Sequence, residues 1–115
     1  MIKHYVVTIT GAAQNLFTGA AGGIAPGAKA AAALDVPLRS IALQPRGTNN
    51  AAIFVGGDST VSSTVYGVRL EAGDATDVPP APFMYDGYES GAIKLSDFWV
   101  FGTVNEILHI QVVTY

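Results

Sequence analysis

The stretch of sequence that decides the fold is residues 49–74, NNAAIFVGGDSTVSSTVYGVRLEAGD. Short runs rich in Val, Ile, Thr and Tyr alternate in it with Gly, Asn and Asp, a composition typical of β-strands separated by turns. We expect strands at residues 51–55, 60–65 and 66–71, with a turn at residues 56–58 between the first two. Because no apolar run recurs at helical spacing, the stretch predicts antiparallel β-structure.

The segments on either side continue this pattern. Residues 3–10, KHYVVTIT, alternate apolar side chains on one face, and residues 14–17 are expected to form a short bridge. Further strands are expected at residues 36–44, 93–102 and 104–115. The total of about seven or eight short antiparallel strands predicts an all-β fold, a β-sandwich or jelly roll, with a small barrel as the alternative. The apolar positions expected to be buried are Ile41, Leu43, Val68, Leu70, Leu108, Ile110 and Val112.

Two long segments interrupt the strands. Residues 18–35 consist mainly of alanine and glycine, and glycine and proline break any helix there into short pieces. We expect a long irregular loop, and loops of this length usually serve a function or are mobile. The small side chains would let its backbone lie closely along another protein, whereas simple flexibility is the alternative.

The second irregular segment covers residues 75–92, where Pro79, Pro80 and Pro82 are incompatible with a central strand. This segment is conspicuously aromatic, and aromatic residues and Met are enriched at the centres of protein interfaces. The alternative is that the loop folds back and caps the sandwich with the same side chains. The candidate partner-binding residues are Phe83, Met84, Tyr85 and Tyr88.

Length and composition narrow the functional classes. The 115 residues predict a single domain, residues 1–115, in which 50% of residues are hydrophobic and 13% are charged. The six Lys and Arg residues are scattered, whereas nucleic-acid binding needs clustered cations, so we expect no nucleic-acid partner. The sequence contains no cysteine, no secretory signal and no run long enough to span a membrane, so we expect synthesis in a cytosol and no membrane partner.

The residue types that carry catalysis or bind metals are sparse. A cupin-like metal enzyme would need several histidines and a glutamate, but His4 and His109 are the only histidines and stand near opposite ends of the chain. The remaining acidic cluster, Glu71, Asp74 and Asp77, would support at most a weak calcium site, and turn formation explains it equally well. We therefore expect no enzymatic activity, no metal and no cofactor.

Four stretches together resemble a group of small phage head and virion-surface proteins: VPLRSIALQP at 36–45, residues 49–74, KLSDFWVFGTV at 94–104 and EILHIQVVTY at 106–115. In that group a strand ending in VG precedes a Ser/Thr strand, a YG-x-x-L-x-x-G unit and an LSD-aromatic-x-V-x-G-T unit. The resemblance implies a compact β-sandwich that attaches to a capsid, often as a trimer, with no active site. It predicts a non-catalytic virion protein that decorates and stabilises a phage capsid.

The partners that this resemblance implies are the major capsid protein and two further copies of the chain in a homotrimer on the capsid surface. Tail and fibre components share similar units and remain an alternative location in the virion. A carbohydrate-binding module is a different class of alternative, for which Tyr85, Tyr88 and Trp99 are the candidate aromatic residues. Trp99 lies in the apolar run 98–101, however, which favours a core position for it.

Overall fold

Eight strands make up two sheets in the computed structural model, which describes residues 2–17, 37–73, 80–86 and 93–115. A short 3-10 helix, Leu95–Asp97, precedes the seventh strand. The strands are β1 (Ile2–Thr8), β2 (Gln14–Asn15), β3 (Leu38–Pro45), β4 (Ile53–Gly56), β5 (Val68–Leu70), β6 (Phe83–Asp86), β7 (Trp99–Phe101) and β8 (Ile107–Thr114).

The order of the strands is that of a jelly roll. Sheet A runs β1-β8-β3-β6 and sheet B runs β2-β7-β4-β5, and the neighbouring strands pair antiparallel. The pairs are nested along the chain: β4 with β5, β3 with β6, β2 with β7 and β1 with β8. A long antiparallel hairpin that rolls up on itself produces this order. The prediction of an all-β, jelly-roll-like sandwich of about eight strands is confirmed.

The core lies between the two sheets and is filled mainly by alternate side chains of the longer strands. Because successive side chains on a strand point to opposite faces, the apolar alternation of β1, β3 and β8 directs one row inward. Of the seven side chains expected to be buried, six are at most 4% exposed, and Val68 is half-buried on the outermost strand of sheet B. Those six are Ile41, Leu43, Leu70, Leu108, Ile110 and Val112.

Two buried polar side chains form hydrogen bonds that stabilise the connection between β3 and β4. Asn49 is 2% exposed, and its amide donates to the carbonyl of Ile107 at 2.7 Å and accepts from the N–H of Ile107 at 3.0 Å. The buried carboxylate of Glu106 accepts hydrogen bonds from the N–H groups of Asn50 and Ala51 at 2.9 and 3.0 Å. These bonds hold the connection between β3 and β4 against the start of β8.

The predicted strand at residues 60–65 is wrong. In the structure this segment is a series of turns, in which the hydroxyl of Ser62 accepts from the N–H groups of Thr64 and Val65. Asp58 likewise accepts from the N–H of Thr60. Short polar side chains compete with strand pairing by bonding the nearby backbone, and here they replace it.

The second irregular segment contains a strand that the sequence interpretation did not predict. β6 pairs with β3 and lies at the edge of sheet A, the position at which neighbouring prolines are tolerated. The flanking residues 74–79 and 87–92 lie outside the described residues, as does the whole of the predicted loop at 18–35.

Candidate functional site

Three of the four candidate partner-binding residues lie on the edge strand β6. Phe83 is opposite Leu43 and Tyr85 is opposite Ile41, so both project toward the side of the sheet that carries the core. Met84 is opposite Ala42 and projects to the other side. The strand therefore places on opposite faces of sheet A the side chains that the sequence predicts to lie together in a loop. The fourth candidate, Tyr88, lies outside the described residues.

The aromatic side chains of β6 close the gap between the two sheets at this edge. Phe83 is half-buried and packs against the core, with its ring centroid 6.5 Å from that of Tyr85. Tyr85 in turn meets Phe98 edge to face, at 6.0 Å and 80°. Yet Tyr85 remains 45% exposed and Met84 is 63% exposed. Phe83 thus has a structural role in capping the sandwich, while Met84 and Tyr85 are accessible to a partner.

Met84 continues into the outer face of sheet A, which is unusually poor in charge. Across the sheet it lies in one row with Ala42, Gln111 and His4. Uncharged side chains also dominate the neighbouring rows, but this side of the sheet carries Asp86 at the edge, Arg46 against His109 and the exposed Arg39 next to Ser40. The outer face of sheet A is defined here by Ile2, His4, Val6, Thr8, Ser40, Ala42, Gln44, Met84, Asp86, Ile107, His109, Gln111 and Val113.

The two histidines lie on this face on neighbouring strands, since β1 and β8 pair. His109 Nε2 accepts a hydrogen bond from Arg46 Nε at 3.3 Å. Partial burial, followed by the positive charge of Arg46, lowers the pKa of His109 below its ordinary value. The Nε2 lone pair of His109 is therefore already engaged by Arg46, and the positive charge beside it opposes the approach of a metal ion at that atom.

Sequence reasoning missed a second surface, on the outer face of sheet B. Phe54 lies between the buried residues Ile53 and Val55, so its ring faces away from the core. It is directly opposite Phe101 on β7 and Arg69 on β5, which places the three side chains in one row. Trp99, expected in the core, is half-buried and lies on this same outer face, two residues from Phe101.

A groove of about 460 Å3 that is open to solvent lies over this row. Ser63 of the segment 57–67 lines one part of it, and the same segment packs on β4, where Val61 covers Gly56 and the ring of Tyr66 lies 4.9 Å from that of Phe54. Phe54 and Phe101 are the aromatic residues that line the groove. The polar side chains that line the groove are Asn50, Ser63, Arg69 and Thr103.

The described residues hold no group of three or more His, Asp or Glu side chains arranged to bind a metal ion. Of the acidic cluster considered above, Glu71 forms an ion pair with Arg69 at 3.2 Å, while Asp74 and Asp77 lie outside the described residues. Hydrogen bonds from Thr60 lower the pKa of Asp58, which is a turn residue. Within the described part of the chain, no helix is long and apolar enough to cross a membrane.

Comparison of the chain with protein-family models, with characterised proteins and with solved structures finds no match. The function has therefore to be argued from the surfaces of the molecule.

Proposed function

We propose that the chain is a non-catalytic structural protein of a phage particle that decorates the capsid surface and stabilises it, with the major capsid protein as its partner. The observation that carries the proposal is the edge of sheet A, where the apolar side chains of Met84 and Tyr85 stand exposed on β6 beside an outer face with few charges. Exposed apolar side chains at this edge support association with another protein there.

The open edge of β6 adds a second means of association. Among the described residues, β6 pairs with β3 on one side and has no strand on the other. An edge strand presents unpaired N–H and C=O groups to which an extended segment of another protein can add. Backbone pairing along β6 would then place the partner beside the side chains of Met84 and Tyr85.

The jelly-roll order is compatible with this role, because viral capsid domains share the architecture. The same architecture also occurs in lectins and cupins, so the fold by itself does not select a function. The proposal rests on the surface of sheet A together with the resemblance of the sequence to virion-surface proteins.

Co-sedimentation with undecorated capsids tests the proposal. We expect the double variant Met84→Ser, Tyr85→Ser to lose most of its capsid binding, because both exposed apolar contacts are removed. Phe83 is left unchanged, since it packs against the core and its loss would disturb the fold.

The matched control is Val104→Ser in the turn between β7 and β8, where an apolar side chain is 56% exposed. This variant should sediment with capsids as the wild type does. If the wild type fails to sediment with capsids, or the double variant binds as well as the control, the proposal is wrong.

A further inference from the structure

We propose that the groove on the outer face of sheet B is a binding site for a neutral carbohydrate, with the rings of Phe54 and Phe101 as its stacking floor. This inference is independent of the capsid role, because the groove lies on a different sheet from β6 and uses none of its residues.

The floor of the groove suits the apolar face of a sugar ring. Phe54 and Phe101 are opposite one another on adjacent strands, and both are half-buried on the outer face. The Cβ atoms of such a cross-strand pair stand about 5 Å apart, so both side chains rise from one patch of the outer face. The C–H groups of a pyranose pack on aromatic rings of this kind, which offer a large apolar area with an electron-rich face.

The rim supplies the hydrogen bonds that sugar hydroxyls need. The amide of Asn50 and the hydroxyls of Ser63 and Thr103 line the groove, and each group can both donate and accept. Arg69 adds donors from the β5 side, with its guanidinium 5.9 Å from the centre of the Phe54 ring. A few polar groups around an apolar floor fix the orientation of a small ligand.

The charge of the rim selects a neutral ligand. Arg69 is the cationic residue among those that line the groove, and its ion pair with Glu71 at 3.2 Å offsets that charge. A phosphate or a nucleic-acid strand would require uncompensated cations. A fully apolar ligand would require an enclosed cavity that buries most of its surface, whereas this groove is open.

The segment 57–67, which contributes Ser63 to the groove, is held in place by internal hydrogen bonds. Ser62 bonds the backbone of Thr64 and Val65, and the N–H of Gly67 donates to the carbonyl of Val55 at 2.8 Å. A preformed segment lowers the cost of ordering the site when a ligand binds.

Titration of isotope-labelled protein with maltohexaose, cellohexaose and chitohexaose, followed by NMR, tests the inference. At least one of these oligosaccharides should shift the backbone signals of Asn50, Ser63 and Thr103 while leaving those of β6 unchanged. Phe101→Leu keeps an apolar side chain but removes a ring, and should weaken the binding about tenfold. Met84→Ala, on the other sheet, is the control and should bind as the wild type does.

Absence of shifts with all three oligosaccharides at millimolar concentration, or shifts confined to another surface, would overturn the inference. The same Phe101→Leu protein is also tested for co-sedimentation with capsids. Lost sedimentation without any oligosaccharide binding would make the groove a protein-binding surface and contradict the carbohydrate assignment. Wild-type sedimentation without oligosaccharide binding would leave the capsid role standing and overturn this inference alone.

Discussion

At the scale of single residues, His109 couples the charge state of the chain to its folding. Its pKa in the folded protein is lowered, by burial first and by Arg46 second, whereas an unfolded histidine titrates near pH 6.5. Below that pH the unfolded chain therefore binds more protons than the folded chain. The free energy of unfolding should then be highest above about pH 6.5 and fall as the pH drops from there toward the folded pKa.

Urea unfolding at a series of pH values between 7 and about 5 measures this effect through the transition midpoint. His109→Gln retains a hydrogen-bond acceptor for Arg46 but cannot be protonated, so its midpoint should fall less than that of the wild type. Arg46→Gln removes only the weaker of the two causes and should give an intermediate slope. Equal slopes in the wild type and His109→Gln would show that His109 does not contribute.

The buried polar residues show what sequence patterns conceal at this scale. Asn49 and Glu106 resemble ordinary turn residues in the sequence, yet both are almost fully buried and bond the backbone of distant segments. Their partners lie more than fifty positions away along the chain. Because the bonds depend on which strands become neighbours, no local signal could have identified them.

At the scale of secondary-structure elements, β8 shows most clearly how alternation determines burial. Leu108 is fully buried, and the preceding residue, Ile107, is half-buried on the other face of the strand. Leu108→Ala should lower the free energy of unfolding by about 2–5 kcal/mol, since it removes transfer energy and leaves a cavity. Ile107→Ala, the matched control, should cost clearly less, because its side chain is already partly in contact with water.

Denaturant unfolding of the two variants measures the difference. Similar losses for Leu108→Ala and Ile107→Ala would mean that the register of β8 against its neighbours differs from the one described. The comparison needs no knowledge of function, because both substitutions lie on one strand of the same sheet.

The accuracy of the predicted elements follows from the strength of their patterns. β1, β3 and β8 have long apolar alternations and were predicted to within two or three residues at each end. The segment 60–65 combines β-branched residues with Ser and Thr, so strand propensity and local hydrogen bonding compete, and the latter prevails. β6 is a short edge strand, for which nearby prolines gave a misleading signal.

The outer face of sheet B was missed for a related reason. The apolar run 98–101 suggested that Trp99 lies in the core, but a period of two assigns only Phe98 and Val100 to it. Phe54 and Phe101 become neighbours through the pairing of β4 with β7, which are more than forty residues apart along the chain. The aromatic residues are visible in the sequence, but the sequence alone does not predict that they share one surface.

At the scale of the whole molecule, the sequence predicted two packed sheets and left their topology open. The alternation of apolar residues indicates how many strands there are, but it does not specify which strands pair. Every pairing in this fold other than β4 with β5 joins segments that are far apart in the sequence. The nested order of the jelly roll then decides the surfaces. It puts β1 and β6 at the two edges of sheet A, with the sparsely charged outer face between them.

The association state is the last prediction at this scale, and it follows from size. The described residues extend over 36 × 28 × 26 Å, so a single domain spans only a short distance on a capsid surface. A homotrimer at a local three-fold axis would bridge more subunits, and closed symmetry lets each copy bury the same patch. We expect light scattering to give about three times the 11.9 kDa mass of one chain. A stable trimer should bury about 1,200 Å2 or more at each interface between two copies. The edge strand β1 supplies such a patch on the outer face of sheet A, where Ile2 is 65% exposed and the half-buried Val6 lies four residues further along the same face. Ile2→Lys, Val6→Lys should therefore shift the mass toward that of a monomer, because a charge placed at each end of the patch resists burial. A wild-type protein that stays monomeric at all concentrations would contradict the trimer, and an unchanged mass in the double variant would place the interface elsewhere than on β1.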